Sequence, residues 1–152
     1  MRWKFFLSLC LFSLFYLSCQ NSCSQKSSKD DGPLVYFIAP KDGDTLSSPI
    51  EIIFGVKGMS VRPAMEDVND KTSGHHHILI DSPKGFIEKG MPVPVDKNHI
   101  HYGKGQTSAT IDLPVGTHTL SMQFADGAHL SYGKEMAATI TVTVVEKEND
   151  KN

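Results

Sequence analysis

The stretch GTHTLSMQFADG, residues 116–127, decides the fold. Its side chains alternate, with His118, Leu120, Met122 and Phe124 separated by threonine, serine and glutamine. A period of two is typical of a β-strand that buries one face. The segment therefore predicts a strand with His118 near the rim of the core.

The same alternation recurs along the chain, in IEIIFGVKG (50–58), SATIDLP (108–114) and ATITVTVVE (138–146). LVYFIAP (34–40) and GHHHILID (74–81) are further strand candidates, and RPAMEDVND (62–70) is the longest ambiguous helical window after the N-terminal region. We expect long loops at 58–74, with one helical turn, and at 82–98. These patterns predict an all-β domain at residues 34–146, an antiparallel immunoglobulin-like β-sandwich of six to eight short strands.

The N-terminus has the layout of an export signal. Arg2 and Lys4 precede an apolar run at 5–17, which as a helix rises only about 20 Å and cannot span a bilayer core of about 30 Å. Ser18-Cys19 then resembles a bacterial lipobox, so we predict a lipoprotein signal peptide at 1–19 with lipidation of Cys19. A plain secreted protein and an uncleaved anchor are the alternatives.

The predicted location follows from this signal. Residues 20–33 are polar and serine-rich and predict a flexible tether, and residues 147–152 a charged tail. The membrane itself is an expected partner, to which the N-terminal lipid would anchor the protein. We therefore expect a protein of the bacterial cell envelope, periplasmic or surface-facing, with the outer membrane favoured over the inner.

Charge and composition exclude several classes of function. The chain has 15 Lys+Arg against 17 Asp+Glu and no basic stripe, which argues against a nucleic-acid partner. None of its three cysteines falls within 34–146, so that domain has neither a disulfide framework nor a thiolate metal site. A Gly-x-Ser-x-Gly elbow is also absent, and we predict no catalytic residue.

The histidines are the chemically informative residues. In a strand, His75 and His77 share one face, and His99 and His101 share a face of the next predicted strand. Neutral imidazole is the commonest metal ligand, and without cysteine the set suits copper or zinc. We predict a site of these four histidines, which His118 or His129 completes or supports.

Other ligands and other uses of the histidines remain open. Asp81 or Asp126 offers a carboxylate, and the thioethers of Met59, Met65, Met91 and Met136 suit Cu(I), although packing is the more common role of methionine. Structural hydrogen bonding and acid–base chemistry are the alternatives for the histidines.

Several motifs in order resemble one protein family. They are FGVKGMSVRPA, DKTSGHHHILID, HIHYGKGQT, LPVGTHTLSMQFADGAH and SYGKEMAATITVTV, covering Phe54 to Val144. Together they are similar to the domain-of-unknown-function 4399 family of small exported β-sandwich proteins. The resemblance implies that His75, His76, His77, His99, His101, His118 and His129 occupy the family's histidine positions. GHHHILID also resembles the G-H-x-H-x-x-x-D strand of other exported domains, which singles out His75, His77 and Asp81.

These observations favour a binding protein over an enzyme. The leading hypothesis is an exported lipoprotein that binds copper or zinc for sequestration, delivery or sensing. One alternative is a metal-free adhesion or envelope-assembly module with an envelope protein partner. The other is a metal-dependent periplasmic enzyme, which needs an open coordination position.

Overall fold

The alternating segments form two β-sheets packed face to face in the computed structural model, which describes residues 34–147. The strands are β1 (Leu34–Ala39), β2 (Thr45–Ser47), β3 (Ile50–Lys57), β4 (Ser60–Val61), β5 (Ser73–Ile80), β6 (His99–His101), β7 (Ser108–Ile111), β8 (Gly116–Ala125) and β9 (Ala137–Val145). A single 3₁₀ turn at Lys134–Met136 is the only helical element of the described range. The predicted all-β sandwich is confirmed.

The two sheets differ in size. The smaller has the order β1-β3-β7, and the larger has the order β2-β9-β8-β5-β4 with β6 also paired to β5. Pairing is antiparallel except between β2 and β9 and between β4 and β5. Strand β5 therefore lies inside the larger sheet, between β8 on one side and β4 and β6 on the other.

The core lies between the sheets and uses the predicted alternation. Ile50, Ile52 and Phe54 of β3 are buried, as are Leu120, Met122 and Phe124 of β8 and Ile140, Val142 and Val144 of β9. Burying a large apolar side chain contributes roughly 1.5–3 kcal/mol each, so this layer is the main stabilising feature of the fold.

The outer face of the larger sheet is also covered, because loop 82–98 folds back over it. The Ile87 amide donates to Gln123 Oε1 at 2.9 Å, and Ser131 Oγ donates to the Ile87 carbonyl at 2.8 Å. Gln123 and Ser121 are consequently fully buried, although they lie on the polar side of β8. Strand β5 is buried on both faces, at every position except Ile80.

Two details differ from the sequence predictions. The strands number nine within 34–147, because β2 and β4 are too short, at three and two residues, for alternation to reveal them. Segment 58–74 contains β4 and turns but no helical turn, since Pro63 and the Asx turns at Asp67 and Asp70 interrupt it.

The predicted signal peptide, lipidated Cys19 and tether, and residues 148–152 of the predicted tail, lie outside the described residues. Residues 34–147 contain no helix that is long and apolar enough to cross a membrane.

A candidate metal site on the covered face

Strand register brings distant histidines together. His77 of β5 lies opposite His101 of β6 on one side and opposite Gln123 of β8 on the other. His75 follows on the same face, opposite Ala125. Because directly paired residues point to the same side of a sheet, these three imidazoles meet beneath the covering loop.

The ligand atoms of His75, His77 and His101 all lie within 4.8 Å of one another. The Nε2 atoms of His75 and His77 are 3.0 Å apart, and the rings of His77 and His101 stack with centroids at 4.9 Å. Tetrahedral zinc with bonds of about 2.0–2.1 Å separates its nitrogen ligands by about 3.3 Å. The cluster is thus close to the dimensions of a metal site.

His129 joins the cluster from a loop. Its ring centroid lies 4.3 Å from that of His101, 4.8 Å from that of His75 and 6.0 Å from that of His77. Its backbone adopts the left-handed conformation, with φ 64°. A non-glycine residue in this conformation carries strain of about 1–2 kcal/mol, which the surrounding turn must offset.

Asp126 builds that turn. Its carboxylate accepts hydrogen bonds from the amides of Ala128 at 2.9 Å and Leu130 at 3.0 Å, and its carbonyl accepts the His129 amide at 2.9 Å. Lys71 Nζ donates to the other carboxylate oxygen at 2.5 Å. Asp126 therefore acts as a positioning residue for His129 in this geometry, and its charge is matched by that of Lys71.

The histidine nitrogens are unusually short of partners. Within the described range, the buried side-chain polar atoms that lack a hydrogen bond are all imidazole nitrogens: His75 Nδ1, His76 Nδ1 and Nε2, His77 Nδ1 and His101 Nε2. Leaving such a group buried and unpaired costs roughly 1–3 kcal/mol. Three of these residues, His75, His77 and His101, are the ones whose ligand atoms converge, so the cluster carries much of this cost.

Burial also fixes the protonation state of the cluster. Desolvation, with the neighbouring histidines second, lowers the pKa of His75 to about 4 and that of His77 to about 2. Desolvation and the nearby His129 lower the pKa of His101 as well. These imidazoles are neutral at pH 7, which is the form that ligates metals.

His99, although a predicted ligand, lies apart from the convergent group. Its Nδ1 contacts both carboxylate oxygens of Asp96, at 2.9 and 3.0 Å. The Asp96 turn causes this arrangement, since the same carboxylate also accepts the amides of Asn98 and His99.

His118, which was expected to complete or support the site, lies on the opposite face of β8 from the cluster, the face that it shares with Leu120. Its Nδ1 contacts Asp81 Oδ2 at 2.9 Å and its Nε2 contacts the Pro114 carbonyl at 3.0 Å. Asp81 is therefore engaged with His118. We leave His99, His118 and Asp81 out of the ligand set.

His76 faces the interior of the sandwich. Its ring packs between Phe54 and Phe124, with centroids 4.9 Å from each. Burial lowers the pKa of His76 to about 4. This histidine is a core residue.

Gly103 is a site residue that the sequence analysis missed. A Cβ on Gly103 would lie 2.2 Å from both Cε1 and Nε2 of His101. Only glycine leaves room for the His101 ring there. The run GKGQT (103–107) is typical of a turn, and nothing in the sequence ties it to the His101 ring.

Comparison with known proteins gives a family but no activity. No curated protein matches the chain. An endo-β-1,4-mannanase from Thermotoga petrophila is similar over 80% of this chain at 14% identity and TM-score 0.47, and the match spans 22% of the mannanase. The model of the family "Domain of unknown function (DUF4399)" matches residues 52–145. The chain therefore belongs to the DUF4399 family, as its motifs indicate.

Proposed function

We propose that this protein binds one copper or zinc ion through His75, His77, His101 and His129. The observation that carries the proposal is the convergence of His75, His77 and His101, whose ligand atoms lie within 4.8 Å of one another, with the fully buried Nε2 atoms of His75 and His77 3.0 Å apart. Buried polar groups normally find partners, and a shared cation supplies one to several imidazoles at once.

The arrangement suits holding a metal more than turning over a substrate. His75 and His77 are completely buried, and the half-buried His101 and His129 occupy the accessible side. Catalysis at a metal needs an open position next to a cleft. Three surface pockets of residues 34–147 lie away from these four imidazoles, along residues 80–85 and 96–99 and beside 39–51.

We assign the site to metal sequestration, delivery or sensing at the cell envelope. The signal peptide at 1–19 and a lipid on Cys19 would anchor the domain to the membrane, with the tether setting its distance. An envelope protein would receive or supply the metal.

Titration of the purified chain with Cu(II), Cu(I) and Zn(II) tests the proposal. We expect tight binding by the natural chain and by His118→Ala, and its loss in the His75→Ala/His77→Ala double variant with the fold retained by circular dichroism. Equal metal binding by the natural chain and by both variants would contradict the proposed site. Loss of stability in the double variant, with no metal bound by any chain, would favour the metal-free envelope module.

A further inference from the structure

Two methionines of the described residues are exposed, and each lies in a segment hydrogen-bonded to the turn that carries His129. Met65 is 70% exposed and Met91 is 54% exposed, whereas Met122 and Met136 are buried and Met59 packs against the core. Among residues 34–147, packing therefore accounts for Met59, Met122 and Met136 and leaves Met65 and Met91 without a role in the core.

Both segments attach to the turn that carries His129. The Met65 amide donates to the Gly127 carbonyl at 2.9 Å, two residues before His129. The Ser131 amide donates to the Met91 carbonyl at 2.9 Å, two residues after it, and the Val93 amide donates to the carbonyl of His129 itself at 3.0 Å. The backbones of Met65 and Met91 are thus hydrogen-bonded to residues two positions before and two positions after His129.

The backbone of Met65 strengthens the case. Its φ of 66° is in the left-handed region, where glycine or asparagine is favoured and a methionine is strained. An exposed side chain gains little from burial to offset this strain. Neither conformation nor packing explains a methionine at this position.

The charges around the cluster also favour a monovalent ion. The four clustered side chains are histidines, and Asp126 beside them is matched by Lys71. A metal here gains no anionic ligand, and the desolvation cost of an ion grows with the square of its charge, so a monovalent ion costs about a quarter as much as a divalent one. Thioether ligands select Cu(I) among the biological metals.

Resting on the proposed function, we propose that Met65 and Met91 form a capture site for Cu(I) at the mouth of the histidine cluster. The thioethers take the monovalent ion from its donor, and the ion then moves inward to His101, His129 and the buried pair. The metal handled by the site is copper in its reduced state.

Methyl NMR of the full chain, with Ag(I) as a redox-inert substitute for Cu(I), tests the capture site separately from the cluster. In the His75→Ala/His77→Ala variant, Ag(I) should shift the ε-methyl signals of Met65 and Met91 but not that of Met59. Zn(II) should shift none of them. Unmoved Met65 and Met91 signals would overturn the proposal, even if the natural chain binds metal.

A transfer experiment tests the route. In Met65→Leu/Met91→Leu, Cu(I) uptake from a coloured chelator complex should be slower by about tenfold or more than in the Met59→Leu control. Zn(II) affinity should stay unchanged. Uptake as fast as in the control would contradict capture by these thioethers.

Discussion

The Nε2 atoms of His75 and His77 lie 3.0 Å apart, and both side chains are fully buried. Two neutral imidazoles form one hydrogen bond there, while the Nδ1 atom of each ring stays unpartnered. Metal-binding histidines usually donate their second nitrogen to an outer partner. Here the rings are oriented by packing instead, with His77 stacked on His101.

Changing His101 to alanine should weaken metal binding by more than the roughly 10- to 100-fold that loss of an outer-shell partner costs. His99→Ala, two residues away on the same strand, should leave the affinity unchanged because His99 contacts Asp96. Competition titration with a metal chelator measures both. Equal losses in the two variants would indicate that His99 is also a ligand.

Replacing His129 with glycine separates ligation from backbone strain. Glycine tolerates φ 64°, so the metal-free chain should keep its stability to within about 1 kcal/mol. Metal affinity should fall by about tenfold or more, corresponding to about 1.4 kcal/mol. Urea unfolding and metal titration give the two quantities, and unchanged affinity would remove His129 from the site.

A methyl group at Gly103 should displace the His101 ring, because the new Cβ would lie 2.2 Å from its Nε2. We expect Gly103→Ala to weaken metal binding. Gly43→Ala is the control, since φ there is 84° and an added Cβ meets no atom within 4 Å. The control should lose stability through backbone strain while its metal affinity stays normal. Full metal affinity in Gly103→Ala would show that the close contact is irrelevant to the site.

Leucine at His76 should raise the free energy of unfolding by about 1 kcal/mol or more, because it removes two buried nitrogens that lack partners. Metal affinity should not change, since the ring packs against Phe54 and Phe124. Urea unfolding measures the effect. A loss of stability would show that a His76 nitrogen is satisfied in solution.

The contact between His118 and Asp81 predicts a pH dependence. The hydrogen bond to Asp81 raises the pKa of His118 above 6.5. Burial tends to raise the pKa of Asp81, but hydrogen bonds from His118 and the Thr119 amide outweigh it, so that pKa lies below 3.8. The His118 contribution is complete below pH 6.5 and is lost as pH rises through its raised pKa. The Asp81 contribution is complete above pH 3.8 and is lost as pH falls through its lowered pKa.

Unfolding of the natural chain and His118→Gln checks this sign. The difference in stability should be under about 1 kcal/mol, because the Asp81 side chain is 45% exposed, and it should be larger near pH 5.5 than near pH 9. NMR titration should show a lower His118 pKa in Asp81→Asn. A stability difference that grows toward pH 9 would contradict the assignment.

Strand alternation made much of the fold predictable, because it depends only on which residues share a face. It placed Leu120, Met122 and Phe124 in the core, and paired His75 with His77. It also placed His118 on the face of β8 that carries Leu120, but it did not show that this face is turned away from the cluster that His118 was expected to complete or support.

The rest of the site depends on contacts between distant segments. His99 and His101 look alike in sequence, and only the Asp96 turn separates their roles. The position of His129 follows from hydrogen bonds of Asp126 and from segment 90–93 beside it, neither of which leaves a periodic pattern. The space that Gly103 leaves for His101 is likewise set by tertiary packing.

The metal content of the chain, purified without a tag from its native compartment, tests the central claim most directly. Elemental analysis should find about one copper or zinc ion per chain, and His75→Ala/His77→Ala should lose it. A natural chain without metal, and with no affinity tighter than about 10 μM for Cu(I), Cu(II) or Zn(II), would contradict the account.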